Sequence, residues 1–211
     1  RPDPDPSNSD RCPSSSIDVL YGDGSTSDGA MKVYLRPETA QVFRQLPERT
    51  EDRRMKIPFG IAQIGAFRNE IVARQFIFRM REFEQMEMQF FVRPGEEMEW
   101  FKQWKATRLK WHQASGNWVM KNIVNHEYEN AGHYANAATD IEFEMPFGFK
   151  EVEGIHSRTN FDLSQHEKFS GKKIQYFDPE LNQSYIRNVI ETSIGVDRVF
   201  LSVMAGSIAK R

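Results

Sequence analysis

Residues 67–92 read FRNEIVARQFIFRMREFEQMEMQFFV. The second half of this stretch alternates at the two-residue period of a β-strand, so it is predicted to form a strand with two chemically distinct faces. One face carries Arg81, Phe83, Gln85, Glu87 and Gln89, and the other carries Glu84, Met86, Met88 and Phe90.

The first half of the stretch is predicted to pair with the second half as a hairpin. Arg68 and Glu70 share a face of their own strand, and pairing would set them beside Arg81 and Phe83. Guanidinium groups bind phosphate oxygens bidentately, and a phenyl ring stacks on a base, so such a surface suits a nucleotide. A solvated sheet face with cross-strand ion pairs has the same composition, and composition alone leaves both interpretations open.

Other short runs predict the rest of the fold. Helix signals mark residues 96–112, where Met98, Phe101 and Trp104 are three residues apart, with acids early and bases late. Because strands and helices occur in separate blocks, the fold class is predicted to be α+β with an antiparallel sheet. Strands are predicted at residues 57–64, 67–72, 83–92, 140–143, 149–155 and 189–194.

Composition limits the classes of protein that the chain can belong to. The 211 residues have a formal charge of −2, which gives no general electrostatic case for nucleic acid. The single cysteine, Cys12, excludes an intrachain disulfide framework, and no zinc site is expected. No run is apolar enough to cross a bilayer, so we expect a cytosolic or organellar-matrix protein without a membrane partner. Residues 1–30 are rich in Pro, Ser, Asp and Gly and are predicted to be a poorly ordered leader or linker.

Two segments resemble motifs of the class II aminoacyl-tRNA synthetases. The order Phe-Arg-x-Glu at residues 67–70, a loop, then Arg79 and Phe83 resembles motif 2. Residues 195–198, which read GVDR before an apolar run, resemble motif 3, where glycine permits close backbone approach and a cation at a helix start faces phosphate. The resemblance implies an antiparallel catalytic sheet flanked by helices, with residues 31–211 as the catalytic core. We find no counterpart of motif 1 or of an anticodon-binding domain.

Longer segments resemble glycyl-tRNA synthetase of the dimeric, eukaryote-like type. They are residues 34–41, 55–64, 74–104, 133–143, 147–168 and 191–198. The resemblance implies a cytoplasmic enzyme that activates glycine with ATP and Mg²⁺ to glycyl-adenylate and charges tRNA(Gly), and it implies a homodimer for the intact enzyme. Two alternatives stay open: an inactive synthetase-derived binding or regulatory module, and a fragment competent only for adenylate formation.

The resemblance also implies the site residues. Arg68 and Arg198 would be catalytic, with Arg68 at the α-phosphate and Arg198 at the γ-phosphate, and Glu151 would be a magnesium ligand. The ATP set is Arg68, Asn69, Glu70, Phe78, Arg79, Met80, Arg81, Glu82, Phe83, Glu151, Val152, Gly195, Val196, Asp197 and Arg198. The glycine set is Glu38, Phe83, Glu84, Gln85, Met86, Glu87, Glu191, Thr192, Ser193, Ile194 and Gly195. An α-ammonium group needs anionic acceptors, which explains the acids in the second set.

The chain departs from the family pattern between two predicted strands, 57–64 and 67–72. Family members usually carry one more residue between Gly65 and Ala66. One residue fewer in a strand reverses the faces of the residues before it relative to those after it. The histidines His133, His156 and His166 are assigned ordinary hydrogen-bonded roles, and the tryptophans Trp100, Trp104 and Trp111 are assigned to helix packing.

Overall fold

A six-stranded antiparallel sheet forms the centre of the computed structural model, as the α+β prediction requires. The structure describes residues 16–20, 30–34, 56–68, 72–114, 123–127 and 135–208, of which 16–20, 30–34, 67–68 and 123–127 are described for the backbone alone. The strands of this sheet are β3 (Phe59–Arg68), β4 (Glu82–Val92), β5 (Ile123–Glu127), β6 (Ala137–Met145), β7 (Gly148–Thr159) and β10 (Asn188–Gly195). Their spatial order is β3-β4-β10-β7-β6-β5.

The remaining described elements are two short hairpins and three α-helices. The hairpins pair β1 (Ser16–Leu20) with β2 (Ala30–Tyr34) and β8 (Tyr176–Asp178) with β9 (Gln183–Tyr185). The helices are α1 (Glu97–Ala114), α2 (Phe161–Ser170) and α3 (Val196–Ile208). No helix within the described part of the chain is both long and apolar enough to span a membrane.

One face of the sheet packs against α1 and α3, and we call it the helix face. Phe90 on β4 contacts Trp100 and Trp104 of α1, with ring centroids 5.0 and 5.2 Å away. This confirms the packing role of these two tryptophans. The core of this face consists of Phe78, Phe101, Ile141, Phe143, Met145, Val152, Ile155 and Ile190.

A buried acid fixes α1 to the helix face. Glu153 on β7 is fully buried, and its two carboxylate oxygens lie 2.7 Å from Arg108 Nε and 2.6 Å from His112 Nε2. A carboxylate at this depth is tolerated only when it is paired and hydrogen-bonded. The helix therefore docks in one register, because both of its partners come from consecutive turns of α1.

The opposite face carries the polar side chains, and we call it the site face. At one end of it α2 packs Leu163 into a small apolar cluster with Phe91, Ile174 and Val189. α2 ends at Gly171, whose φ of +67° is the left-handed conformation that glycine adopts at a helix end. The cluster covers one end of the site face and leaves the polar middle to the functional side chains.

The strands and helices of the structure depart from the predicted elements in several places. The runs 57–64 and 67–72 were predicted as two strands, but β3 continues without interruption to Arg68, and residues 69–71 lie outside the described residues. β1 lies inside the segment predicted to be poorly ordered. α2 was not predicted, because its apolar positions are few and polar residues such as Gln165 and His166 interrupt the helical period.

The β8–β9 hairpin is attached to the end of β4 by charge. Asp178 accepts hydrogen bonds from Arg93 Nε at 2.8 Å and from the Tyr185 hydroxyl at 2.7 Å. These donors, with Arg93 first, hold the pKa of Asp178 well below its ordinary value of 3.8. Burial and the Asp178 carboxylate raise the pKa of Tyr185 to about 12.

We predict that Asp178→Asn destabilises the protein in a pH-dependent way. A carboxyl whose pKa is lower in the folded state stabilises the fold above its ordinary pKa, and this contribution is lost as the pH falls. The difference in unfolding free energy between the original protein and the variant should therefore be constant from pH 7 to 5 and shrink below about pH 4.

Urea unfolding at several pH values measures this difference. Glu180→Gln is the matched control, because it removes the exposed partner of the same Arg93 and should change stability by less than about 1 kcal/mol. A stability difference for Asp178→Asn that grows on acidification would contradict the prediction.

Candidate active site

Two β-bulges in β7 determine which of its side chains reach the site face. Glu153 pairs with Ile141 and Glu151 pairs with Glu142, so Val152 is an extra residue between them. A bulge places two residues opposite one and reverses the alternation beyond it. Glu151 therefore belongs to the site face although Glu153, two residues away, is buried on the helix face.

The second bulge redirects an arginine. Ser157 pairs with Ile190 and Thr159 pairs with Val189, which leaves Arg158 without a partner position on β10. Arg158 NH1 donates to Glu191 Oε2 at 2.7 Å, and Arg158 binds both carboxylate oxygens of Asp162 at 2.6 and 3.1 Å. The bulge thus places a guanidinium between β10 and α2.

A pocket of about 150 Å³ opens at the end of the site face farthest from α2. It combines cations, acids and aromatic rings, as a nucleotide site requires. Its lining residues are Ile77, Phe78, Arg79, Met80, Phe83, Glu84, Gln85, Glu151, Ser193, Gly195, Asp197 and Arg198.

Arg198 in the first turn of α3 is the most constrained cation of this pocket. Its NH1 lies 3.0 Å from Glu151 Oε2 and 3.1 Å from the Glu151 carbonyl oxygen, and its NH2 donates to the Phe78 carbonyl oxygen at 3.1 Å. The guanidinium also lies 5.3 Å from the centre of the Phe78 ring. Phe78, Glu151 and Arg198 come from three separate segments of the chain. They therefore meet around the guanidinium of Arg198.

Gly195 has a specific reason to lack a side chain. A Cβ there would lie 3.3 Å from both Cγ and Cδ of Arg198. The glycine lets the arginine side chain fold back over the end of β10 toward Glu151. A close approach to the backbone of Gly195 was expected from the motif resemblance. In the structure the side chain of Arg198 makes this close approach.

The register of β3 gives the backbone position of Arg68. Arg68 pairs with Glu82, and Phe67 pairs with Phe83, with no shift at Gly65 or Ala66. Residues directly opposite each other share a face, so the register position of Arg68 is one step away from the face of Phe83 and Gln85. The backbone position of Arg68 is therefore opposite Glu82 and not opposite Phe83, and the role of Arg68 stays a prediction from the motif resemblance.

Several other predicted residues lie elsewhere. Val152 is 1% exposed in the core of the helix face, so its side chain does not line the pocket. Met86, Thr192 and Ile194 occupy register positions of the helix face, because they alternate with the polar residues of the site face. Arg81, Glu82 and Val196 are not pocket-lining residues, whereas Glu84 is. Glu38, Asn69, Glu70 and His133 lie outside the described residues.

The predicted amino-acid side chains are assembled in the middle of the site face. Gln85 Nε2 donates to Ser193 Oγ, and Gln89 Nε2 donates to Glu87 Oε1 and, at 3.0 Å, to Glu191 Oε1. Glu87 and Glu191 are 5% and 6% exposed. Two buried carboxylates beside a pocket with cations suit a ligand that carries both an ammonium and a phosphate group.

Glu191 is held by side chains that the sequence analysis missed. Gln89 binds one of its oxygens and Arg158 the other. Burial alone would raise the pKa of Glu191, but the hydrogen bond with Glu87 and the charge of Arg158 lower it below the ordinary value. The spacing of Arg158 and Asp162, four residues apart, is the sequence signal that could have indicated this pair.

Glu151, the magnesium ligand that the resemblance implies, pairs with Arg198 at 3.0 Å and is still partly exposed. Its side chain is 47% exposed, it lines the pocket, and Mg²⁺ prefers one or two carboxylates together with water and phosphate oxygens. No group of three or more acidic, histidine or cysteine side chains that could hold a metal occurs among the described residues. A magnesium ion here would therefore depend on the nucleotide for its other ligands.

Comparisons with known proteins identify the family of the chain. Residues 25–206 match the family described as the tRNA synthetase class II core domain (G, H, P, S and T). Proteins named Glycine--tRNA ligase from Chlorobaculum tepidum and Treponema denticola are 53% and 52% identical over 184 and 181 residues. These matches cover 86% and 83% of this chain, but this chain spans only 39% and 40% of those relatives.

A solved structure supports the fold. The structure of Giardia lamblia prolyl-tRNA synthetase in complex with prolyl-adenylate aligns with a TM-score of 0.60 at 14% sequence identity. The alignment covers 90% of this chain and 37% of that one. At this identity the similarity concerns the arrangement of strands and helices alone.

We predict that Arg158→Met raises the pKa of Glu191, because the variant removes the guanidinium that favours the ionised carboxylate. Carbon-13 NMR of the Glu191 side-chain carboxyl as a function of pH measures this shift. Arg108→Met is the control, since Arg108 binds Glu153 on the opposite face of the sheet. An unchanged titration of Glu191 in Arg158→Met would show that Arg158 does not set its charge state.

Proposed function

The chain belongs to the tRNA synthetase class II core domain family, and from that membership we propose that it is the catalytic core of a glycine–tRNA ligase. It activates glycine with ATP to glycyl-adenylate and transfers glycine to tRNA(Gly). Relatives of that name, about half of whose aligned residues are identical, support the choice of glycine. The observation that carries the proposal is one continuous surface, with the cation Arg198 at one end and the buried acids Glu87 and Glu191 in the middle.

Activation is an in-line displacement. A carboxylate oxygen of glycine attacks the α-phosphorus of ATP, a P–O bond forms, the bond to the bridging oxygen breaks, and pyrophosphate leaves. In the second step the acceptor hydroxyl of tRNA attacks the glycyl carbonyl carbon and AMP leaves. Such chemistry needs positioning and charge neutralisation more than a protein nucleophile.

The phosphate end of the surface supplies cations and an aromatic ring. Arg198 would neutralise phosphate charge, Arg79 would add a second guanidinium, and the Phe83 ring, which lines the pocket, would stack on adenine. Glu151 would hold Mg²⁺, which when bound supplies further neutralisation of the phosphates. The roles of Arg68, Asn69 and Glu70 at this end rest on the motif resemblance.

The amino-acid end supplies anionic acceptors. The α-ammonium group of glycine would bind Glu87 and Glu191, with Gln85 and Ser193 completing the contacts. Arg158 and Gln89 already hold Glu191 from behind, so the carboxylate stays ionised and oriented before the substrate arrives. Glu38 joins this set by resemblance alone.

We also propose the partners and the location that the resemblance implies. They are tRNA(Gly), a second copy of the intact enzyme in a homodimer, and the cytoplasm. Competence for adenylate formation alone is the nearest alternative. An inactive regulatory module is a weaker alternative, since Phe83, Glu151 and Arg198 retain a connected geometry.

Amino-acid-dependent exchange between ATP and labelled pyrophosphate tests the proposal. We expect exchange with glycine and background exchange with histidine, proline, serine and threonine, the other amino acids of the family. Charging of tRNA(Gly) in the same preparation separates the complete reaction from adenylate formation. Well-folded protein that shows no glycine-dependent exchange, or that prefers another of the five, would refute glycine activation.

We predict that Arg198→Ala lowers kcat/KM for ATP in this exchange by about 10- to 100-fold, the loss of one charge-assisted contact. The KM for glycine should change little, because Arg198 lies at the phosphate end of the surface. Lys172→Ala, which removes an exposed cation after α2, is the control for a change of net charge. Equal losses in both variants would remove Arg198 from the nucleotide site.

A further inference from the structure

The proposed glycine site raises the question of which group excludes amino acids with a side chain. The anchors Glu191 and Ser193 lie on β10, between β4 and β7. Neighbouring strands are about 4.8 Å apart, so a substrate side chain that extends sideways from above β10 lies over β4 or over β7. The two directions differ in what already occupies them.

The β4 side is filled by hydrogen-bonded side chains. Gln89 is the partner of Glu191 and Glu87 is the partner of Ser193 in the register. Both are buried and are joined to each other and to Glu191 by Gln89 Nε2. A substrate methyl group cannot enter here without separating groups that hold the ammonium acceptors.

The β7 side contains a residue without a side chain. Gly154 is the partner of Ser193, and His156 is the partner of Glu191. Gly154 would leave an open volume beside Ser193 if its neighbours did not fill it. A Cβ at Gly154 would lie 2.8 Å from His156 Cε1 and 3.7 Å from Asp140 Oδ1. The imidazole of His156 therefore lies over Gly154 and occupies this volume.

Packing rather than a hydrogen bond at Nδ1 holds the ring in this position. His156 Nδ1 is buried and has no hydrogen-bond partner among the described residues, and its distance of 3.7 Å to Glu191 Oε2 is beyond hydrogen-bonding range. The sequence led us to expect an ordinary hydrogen bond from this histidine. Among the described residues, its Nδ1 forms no such bond.

We propose that His156 is a specificity-determining residue, whose ring fills the space over Gly154 that the side chain of L-alanine or L-serine would need. The inference rests on the proposed glycine activation. It identifies the side chain that would exclude amino acids larger than glycine. Glycine has no Cβ and is accepted, whereas a larger amino acid must displace a ring that lies over Gly154, with its Nδ1 3.7 Å from Glu191 Oε2. Steric exclusion by an occupied volume discriminates more strongly than the loss of one favourable methyl contact.

The test compares pyrophosphate exchange with glycine and with L-alanine for the unmodified protein and three variants. His156→Ala opens the volume, and we expect the ratio of kcat/KM for L-alanine to that for glycine to rise about tenfold or more. His156→Gln keeps a side chain of similar size and should keep the ratio near the original value. His166→Ala makes the same substitution on α2, outside the site, and should leave it unchanged.

The outcomes distinguish a failure of the inference about His156 from a failure of the proposed function. Because the ratio is measured on one preparation, it does not depend on the fraction of folded protein. An unchanged ratio in His156→Ala, a loss of glycine exchange in that variant, or an equal rise in His156→Gln would each overturn the role of His156 as a volume filler. Absence of glycine exchange in the unmodified protein would instead overturn the proposed function, and the inference with it.

Discussion

Antiparallel pairing of β10 with β4 on one side and β7 on the other determines which side chains can meet. It puts Glu87 beside Ser193 and Gln89 beside Glu191, so residues separated by about a hundred positions in the chain form one hydrogen-bonded group. The period of two then sends their neighbours Met86 and Ile194 to the helix face. Both the apolar core and the polar surface therefore depend on one register.

Two buried glutamates show how the sheet carries charge on both faces. Glu153 on the helix face binds Arg108 and His112, and Glu191 on the site face binds Arg158 and Gln89. In each case a guanidinium offsets the cost of burial and hydrogen bonds occupy both carboxylate oxygens. The two glutamates differ in their surroundings. Glu153 is enclosed by α1, whereas Glu191 adjoins Ser193, which lines the pocket that we assign to the nucleotide.

The sequence was informative wherever one strand keeps a strict alternation. The faces of β4 and β10 followed from it, including Gln85, Glu87, Glu191 and Ser193. Arg158 was missed because it occupies a bulge, and a bulge depends on the pairing of two strands rather than on either strand alone. The register position of Arg68 could not be predicted for a related reason: it depends on the length of β3 between Gly65 and the hairpin. The placement of the His156 ring was not predicted, because it depends on the missing side chain at Gly154 on the same strand.

The extra residue Val152 has a consequence for how this chain can change in length. Removing one residue from β7 at that point would turn the Glu151 carboxylate away from Arg198 and toward the apolar layer beneath α1, while adding one would shift the pairing with β6. The hairpin between β8 and β9, whose turn is exposed, has no such restriction. Among variants of this protein, insertions and deletions should accumulate in that outer turn and be absent from the middle of β7, where a single residue separates a ligand-facing acid from a structural one.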